Sequence, residues 1–195
     1  MFRKDNNKKI KAGIREEISR KRRYLTIKEK KELDKTIIEK LLKLPEWKKA
    51  KNIFIYIAHK YEIQTIELIE QNLKEKNIII PKTHLRFHAL SLHKIKSEDD
   101  IINGRYNLIE PKPATQMIDP EKVDLAVIPG MVFDLNGHRI GYGKGYYDKL
   151  NKHLKCKKIS LAYSFQIIDN IPAEKHDQPI DILITEKQIH RISQA

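Results

Sequence analysis

The sequence predicts an α/β fold: a three-layer α/β/α sandwich with a mostly parallel sheet and two N-terminal helices packed on it. Three observations carry that prediction. Short, continuous apolar runs at residues 53–58, 77–81 and 124–128 have the length and composition of strands buried on both faces. Helical periodicity between the first two makes them a βαβ unit, with its crossover expected to be right-handed. The chain before the first run reads as two amphipathic helices. At 195 residues it is most simply one domain spanning 1–195, large enough to bury a core.

Residues 5–23 carry Ile10, Ile14 and Ile18 at intervals of four, a narrow apolar stripe on a charged helix. Lys11 and Arg15 are also four apart and share one face; spacing alone favours reading them as a solvated surface. Thr26 and Glu29 form a capping box for a second helix, whose apolar face is Leu33, Ile37, Ile38, Leu41 and Leu42 and which Pro45 ends. The run 53–58 is the first strand, and a helix through Leu68, Ile69 and Leu73 leads to the second, which stops on Pro81. Ligands of such sheets gather at the carboxyl ends of the strands, where Glu62 and Lys82 fall. Residues 87–95 alternate as a strand, 97–102 read as one helical turn and 106–113 as loop. After the strand at 124–128 the expectations are helix 146–154, strand 158–163, a helix-like turn at 164–171 and loop 172–179. A last strand at 180–185 then finds a hairpin partner at 188–192.

The stretch with the most chemistry follows the third apolar run. Leu135-Asn136-Gly137-His138 reads as a tight turn, because Asn-Gly accepts positive φ. Arg139 comes next, then Gly141-Tyr142-Gly143-Lys144-Gly145, with Tyr146, Tyr147 and Asp148 opening a helix. Three of the seven glycines lie within these five residues, so backbone N–H groups can turn toward an anion at close range. Lys144 and the helix N-terminus add charge of the same sign. The spacing is neither that of the P-loop nor that of the dinucleotide fingerprint. Asp148 is placed either to serve the helix dipole or to hold Mg²⁺, and one of the paired tyrosines to stack on a flat heterocycle.

Composition narrows the alternatives. The net charge is +13, concentrated in residues 1–51, where 19 Lys/Arg stand against 8 Asp/Glu; the remainder carries 20 against 18. That basic third is an alternative RNA- or phosphate-binding module, although no aromatics interleave it to stack bases. No apolar run reaches the roughly 18 residues of a membrane span. The polar N-terminus lacks a signal-peptide core, and the lone Cys156 excludes an internal disulfide, so the chain reads as cytoplasmic. The eight histidines show no metal-ligand spacing with cysteine, and each reads as a surface or satisfied side chain. No serine-hydrolase elbow is present.

The string Pro129-Gly130-x-x-Phe133-Asp134-x-x-Gly137-x-Arg139-Ile140-Gly141-x-Gly143-Lys144-Gly145-Tyr146-Tyr147-Asp148 resembles the signature of the 5-formyltetrahydrofolate cyclo-ligase family. The resemblance implies an α/β sandwich that converts 5-formyltetrahydrofolate, with or without a polyglutamate tail, and ATP to 5,10-methenyltetrahydrofolate, ADP and phosphate. It implies Mg²⁺ held by Asp148 and Asp177. Lys11 and Arg15 resemble the family's Lys-x-x-x-Arg contact to ATP phosphates, and residues 139–147 its main ATP loop. Glu62-Ile63-Gln64-Thr65 is similar to the family's Glu-(apolar)-x-Thr, whose glutamate contacts the folate, with Ile57 lining the same pocket and Tyr146 and Tyr147 shared between the two substrates. Ile80-Pro81-Lys82 and Ile109-Glu110-Pro111 match further landmarks. The implied catalytic residues are Lys144, Arg139 and Arg15, in a monomer acting without membrane or nucleic acid. Tyr142 departs from the Arg or Gly more usual there, at the cost of a phosphate contact. A same-fold homologue with a thiamine-related substrate is the alternative within the fold.

Overall fold

The computed structural model describes residues 2–104, 109–172 and 178–193, with residues 2–6 as backbone only. Helix α1 (Phe2–Tyr24) is followed by α2 (Ile27–Lys43), whose Thr26–Glu29 capping box forms as expected, with the Thr26 hydroxyl accepting from the Glu29 N–H. Pro45 ends α2 but also begins a short α3 (Pro45–Lys49), where a first-turn proline costs no hydrogen bond. The expected βαβ unit is β1 (Asn52–Ile55), α4 (Ile66–Asn72) and β2 (Asn77–His84). Strand β3 (Ala89–Ile95) returns antiparallel to β2. β4 (Ile101–Asn103) pairs with β5 (Ile109–Pro111), so the helical turn expected at 97–102 is a 3₁₀ turn running into a strand, and part of the expected loop is its partner. The rest comprises β6 (Gln116–Ile118), β7 (Leu125–Val127), a hairpin of β8 (Val132–Phe133) and β9 (Arg139–Ile140), and α5 (Tyr146–Asn151). β10 (Lys157–Leu161), β11 (Ile182–Ile184) and its antiparallel partner β12 (Ile189–Arg191) complete the chain. At 164–171 only Ser164–Gln166 is helical, as a 3₁₀ turn.

Among the described residues the main sheet has eight strands in the order β12-β11-β10-β7-β1-β2-β3-β6, parallel from β11 to β2. Alternation sorts the core. Ile53, Ile55, Ile78, Ile80, Leu125 and Val127 face one side, against Ile37, Leu41, Trp47, Leu68 and Ile69 of α2, α3 and α4. Phe54, Ile79 and Ala126 face the other, against Leu150 and Leu154 of α5 and its exit. These are the layers of the predicted sandwich. Of the two N-terminal helices, α2 lies on the sheet, whereas Ile18 of α1 packs on Val132 and Ile140 of the β8–β9 hairpin. Ile10, expected in the apolar stripe, is 44% exposed.

Strand β2 continues past Pro81 because its pairing with β1 ends at Ile79. Beyond that point the open side needs no ladder hydrogen bond, and the Thr83 N–H is met instead by the Glu110 carboxylate at 3.3 Å. Lys82 therefore lies within a strand and does not line the cleft described below.

The β2–β3 hairpin carries a chain of side chains whose proton positions follow from donor accounting. Thr115 donates to the Lys112 carbonyl at 2.6 Å, so its oxygen accepts from His93 Nδ1 at 3.1 Å. Burial depresses the His93 pKa and keeps the ring neutral, so Nε2 accepts from Ser91 at 2.8 Å, and Ser91 accepts from His84 at 2.7 Å. Unfolded histidine titrates near about 6.5 and the folded group lower, so the unfolded state binds the extra proton first. Stability is full above about pH 6.5 and is lost as pH falls below it. A lower urea midpoint at pH 5.5 than at pH 7, with a shallower decline in His93→Gln, is the expected result; equal declines would take His93 out of the account. His190, also depressed by burial, leaves a residual slope.

Candidate active site

The chain leaves β1 toward β2 on one side of the sheet, and leaves β7 toward β10 on the other. The connecting helices α4 and α5 lie on opposite faces, so a crevice opens where β1 and β7 end. This is the topological switch point at which open α/β sheets bind ligands. A cleft of about 730 Å³ occupies it, in the size range of small-molecule sites.

One wall is the glycine loop. Asp134 is wholly buried and anchors the turn before it by accepting from the N–H groups of Asn136 (3.0 Å), His138 (2.9 Å) and Ile171 (3.0 Å). Gly137 has φ +87°, as the Asn-Gly pair foretold. Gly143 and Gly145, which line the cleft, also take positive φ, +87° and +70°, a conformation open to glycine at little cost. Buried Arg139 donates from Nη2 to Asp148 Oδ1 at 2.6 Å, so this pair ties the start of β9 to the first turn of α5. Lys144 is exposed at the cleft rim.

Helix α1 supplies the opposite wall. Lys11 and Arg15 line the cleft, which overturns the solvated-face reading of their spacing. Arg15 Nε donates to the Gly141 carbonyl at 2.7 Å, and its guanidinium lies beside Gly143. Burial lowers the Arg15 pKa, but an arginine begins so far above neutrality that it keeps its charge. Arg22, two turns on, is buried; it donates to the Gly130 carbonyl at 2.9 Å and to the Tyr142 hydroxyl at 3.1 Å.

The floor comes from the loop after β1. Ile57 and Glu62 line it, and Glu62 is 6% exposed. Glu62 Oε2 accepts from the His59 N–H at 2.7 Å, and Oε1 from the Tyr142 hydroxyl at 2.7 Å. Thr65, fully buried, donates to the Tyr56 carbonyl at 2.7 Å and closes the loop. The paired tyrosines diverge. Tyr147 leans on Phe54, ring centroids 6.4 Å apart, and burial pushes its phenol well above the usual range. Tyr146 stacks on His88 of the β2–β3 hairpin at 6.0 Å.

The cleft thus joins a glycine loop, with Lys11, Arg15 and Lys144 beside it, to a pocket holding the buried carboxylate of Glu62. The model of the 5-formyltetrahydrofolate cyclo-ligase family matches residues 7–186.

The chain belongs to the 5-formyltetrahydrofolate cyclo-ligase family.

It is accordingly a ligase of the cyclo-ligase type, in folate metabolism. The 5-formyltetrahydrofolate cyclo-ligase of Haemophilus influenzae is 30% identical over 185 residues, covering 91% of this chain and 99% of that one. The structure of Aquifex aeolicus 5,10-methenyltetrahydrofolate synthetase superposes with a TM-score of 0.86 at 36% identity, covering 95% of this chain and 94% of that one. The 5,10-methenyltetrahydrofolate synthetase of Mycoplasma pneumoniae gives 0.74 at 28%, covering 90% and 98%.

Every candidate that resemblance to the cyclo-ligase family named among the described residues lines this one cleft: Lys11, Arg15, Ile57, Glu62, Arg139, Gly141, Gly143, Lys144, Gly145, Tyr146, Tyr147 and Asp148. Asp177 lies outside the described residues. Sequence reasoning names Tyr142 only as part of the loop, without its contact to Glu62, and does not name Arg22 at all. The signal for Arg22 was its interval of four from Ile18 and seven from Arg15, which sets it on the inner face of α1. No sequence signal tied Tyr142 to Glu62, because the contact spans 80 residues. Among the described residues no helix is long and apolar enough to cross a membrane.

Proposed function

We propose that the chain converts 5-formyltetrahydrofolate and ATP to 5,10-methenyltetrahydrofolate, ADP and phosphate, as a cytoplasmic monomer requiring Mg²⁺. The observation that carries the proposal is that the glycine loop touches both neighbours at once, through Arg15 to the Gly141 carbonyl and through Tyr142 to Glu62. A phosphate chain seated on the loop therefore ends beside whatever occupies the Glu62 pocket.

In this reading the N–H groups of the glycine loop, with Arg15, Lys11 and Lys144, hold the triphosphate. The formyl oxygen on N5 attacks the γ-phosphorus, the bond to the bridging oxygen breaks, and ADP departs. Arg15, Arg139 and Lys144 stabilise the charge that spreads over the transferred group. The formyl carbon of the resulting imidoyl phosphate is electrophilic. N10 attacks it and loses its proton, the carbon–oxygen bond breaks, and phosphate leaves. The protein supplies position and dryness rather than a nucleophile, in keeping with the lack of a nucleophilic dyad among the described residues of the cleft.

Magnesium fits the donor set. Asp148 lines the cleft with one oxygen committed to Arg139, and no group of three acidic, histidine or cysteine side chains gathers there among the described residues. One carboxylate with phosphate oxygens and water is the usual surrounding of this ion, which when bound neutralises charge between the phosphates.

The test is the absorbance of the conjugated methenyl product on mixing protein, 5-formyltetrahydrofolate, Mg²⁺ and ATP. An ATP-dependent band is expected, and its absence with well-folded protein would reject the reaction. In the same assay Glu62→Gln raises the KM for 5-formyltetrahydrofolate about 10-fold or more, with the KM for ATP little changed. An unchanged folate KM would remove Glu62 from the folate pocket.

A further inference from the structure

Tyr142 stands in the glycine loop between Gly141 and Gly143, and its contacts give it a use of its own. A guanidinium has no acceptor, so in the 3.1 Å contact Arg22 donates and the phenol oxygen accepts. The phenol proton is then directed at Glu62 Oε1, 2.7 Å away. Glu62 Oε2 is held from within its own loop, by the His59 N–H. Rotation of the carboxylate about that anchor is thus stopped from outside the loop by Tyr142. Burial and the Glu62 charge raise the phenol pKa well above its usual value, so the donor stays protonated at any working pH.

Tyr142 as a whole residue is 51% exposed, with burial felt at its hydroxyl end, so packing alone does not set its position. What sets it is the hydroxyl's two hydrogen bonds and the loop on either side. That loop is pinned by Arg15 at Gly141 and bends at Gly143, the same groups proposed to receive phosphate. A nucleotide that orders these residues orders the phenol, and with it Glu62.

We propose that Tyr142 is a positioning residue for Glu62, and that through it an occupied glycine loop tightens binding in the Glu62 pocket. This rests on the reading that Glu62 contacts the folate. Coupling of this kind is reciprocal: folate must strengthen nucleotide binding by the same factor. The arrangement favours ATP and folate being present together before transfer begins.

Calorimetry of 5-formyltetrahydrofolate binding to the full chain, with and without saturating ADP, tests the proposal, since ADP has no γ-phosphoryl group to transfer. In the wild type, ADP is expected to lower the folate Kd about fivefold or more. In Tyr142→Phe, which keeps the ring, the folate Kd rises about 10-fold, the ADP effect shrinks below about twofold, and ADP affinity alone stays within about twofold. If Tyr142 acts through Glu62, the double variant with Glu62→Gln binds folate no worse than Glu62→Gln alone. Unchanged folate affinity in Tyr142→Phe, an ADP effect equal to the wild type's, or additive losses in the double variant would each overturn the proposal while leaving the folate reading intact. Failure of the wild type to bind folate would instead sink the reading beneath it.

Discussion

Lys144→Ala is expected to lower kcat by about 100-fold or more while leaving the thermal midpoint of the unliganded protein within about 1 °C. The two halves have separate causes. Lys144 is exposed at the cleft rim, so truncation opens no cavity and strands no buried partner. Its charge matters only when the phosphoryl group carries spreading negative charge in a site from which water is excluded, where losing one donor typically costs two to three powers of ten. Product absorbance gives the rate and thermal scanning the fold. Near-normal turnover would take Lys144 out of the reaction, and a large fall in midpoint would show that the loop needs it to fold. Because the proposed role is in the transition state, kcat should fall far more than the KM for ATP rises.

Gly137→Ala is expected to do the reverse. Gly137 sits at φ +87°, and an added Cβ would lie 2.8 Å from the Ile180 carbonyl oxygen and 3.0 Å from an Ile192 methyl. Left-handed backbone strain at a non-glycine residue costs about 1–3 kcal/mol. Here the clash is with backbone rather than with a side chain able to swing away. The Ile180 N–H also donates to the Gly137 carbonyl at 3.0 Å, so relieving the clash would loosen the seam joining the hairpin to the sheet. A loss of about 3 kcal/mol, or roughly 10 °C in thermal midpoint, is expected. Per folded molecule, activity should fall less than in Lys144→Ala, because Gly137 does not line the cleft. A midpoint within about 2 °C of the wild type would show that the turn can rotate to another conformation.

Resemblance extended the site beyond what spacing supports. Residue types around Gly141–Gly143–Gly145 argue for an anion cradle without help, since glycine φ, lysine charge and a helix start are local properties. Lys11 and Arg15 are different. Their spacing puts them on one helical face but says nothing of what that face meets, and the more common outcome, solvent, was the wrong one. Nothing in the local sequence marks Asp134 as structural, yet it is wholly buried and organises the hairpin that carries Arg139. Boundaries failed where a local rule met a tertiary exception. Pro81 ends a strand only if that side of the strand needs its N–H, and here it does not.

By itself the sequence determined the α/β class, the parallel strands, the capping box at Thr26, the Asn-Gly turn and the family. Each of these rests on interactions between residues near in the chain, or on a motif long enough to be specific. Only the tertiary structure decided that α1 lies on the β8–β9 hairpin, that Arg22 is buried under the glycine loop, and that Tyr142 holds Glu62. Those contacts join residues 80 or more positions apart. Periodicity states which face of an element is turned inward, but the partner on the far side is chosen by how the layers stack.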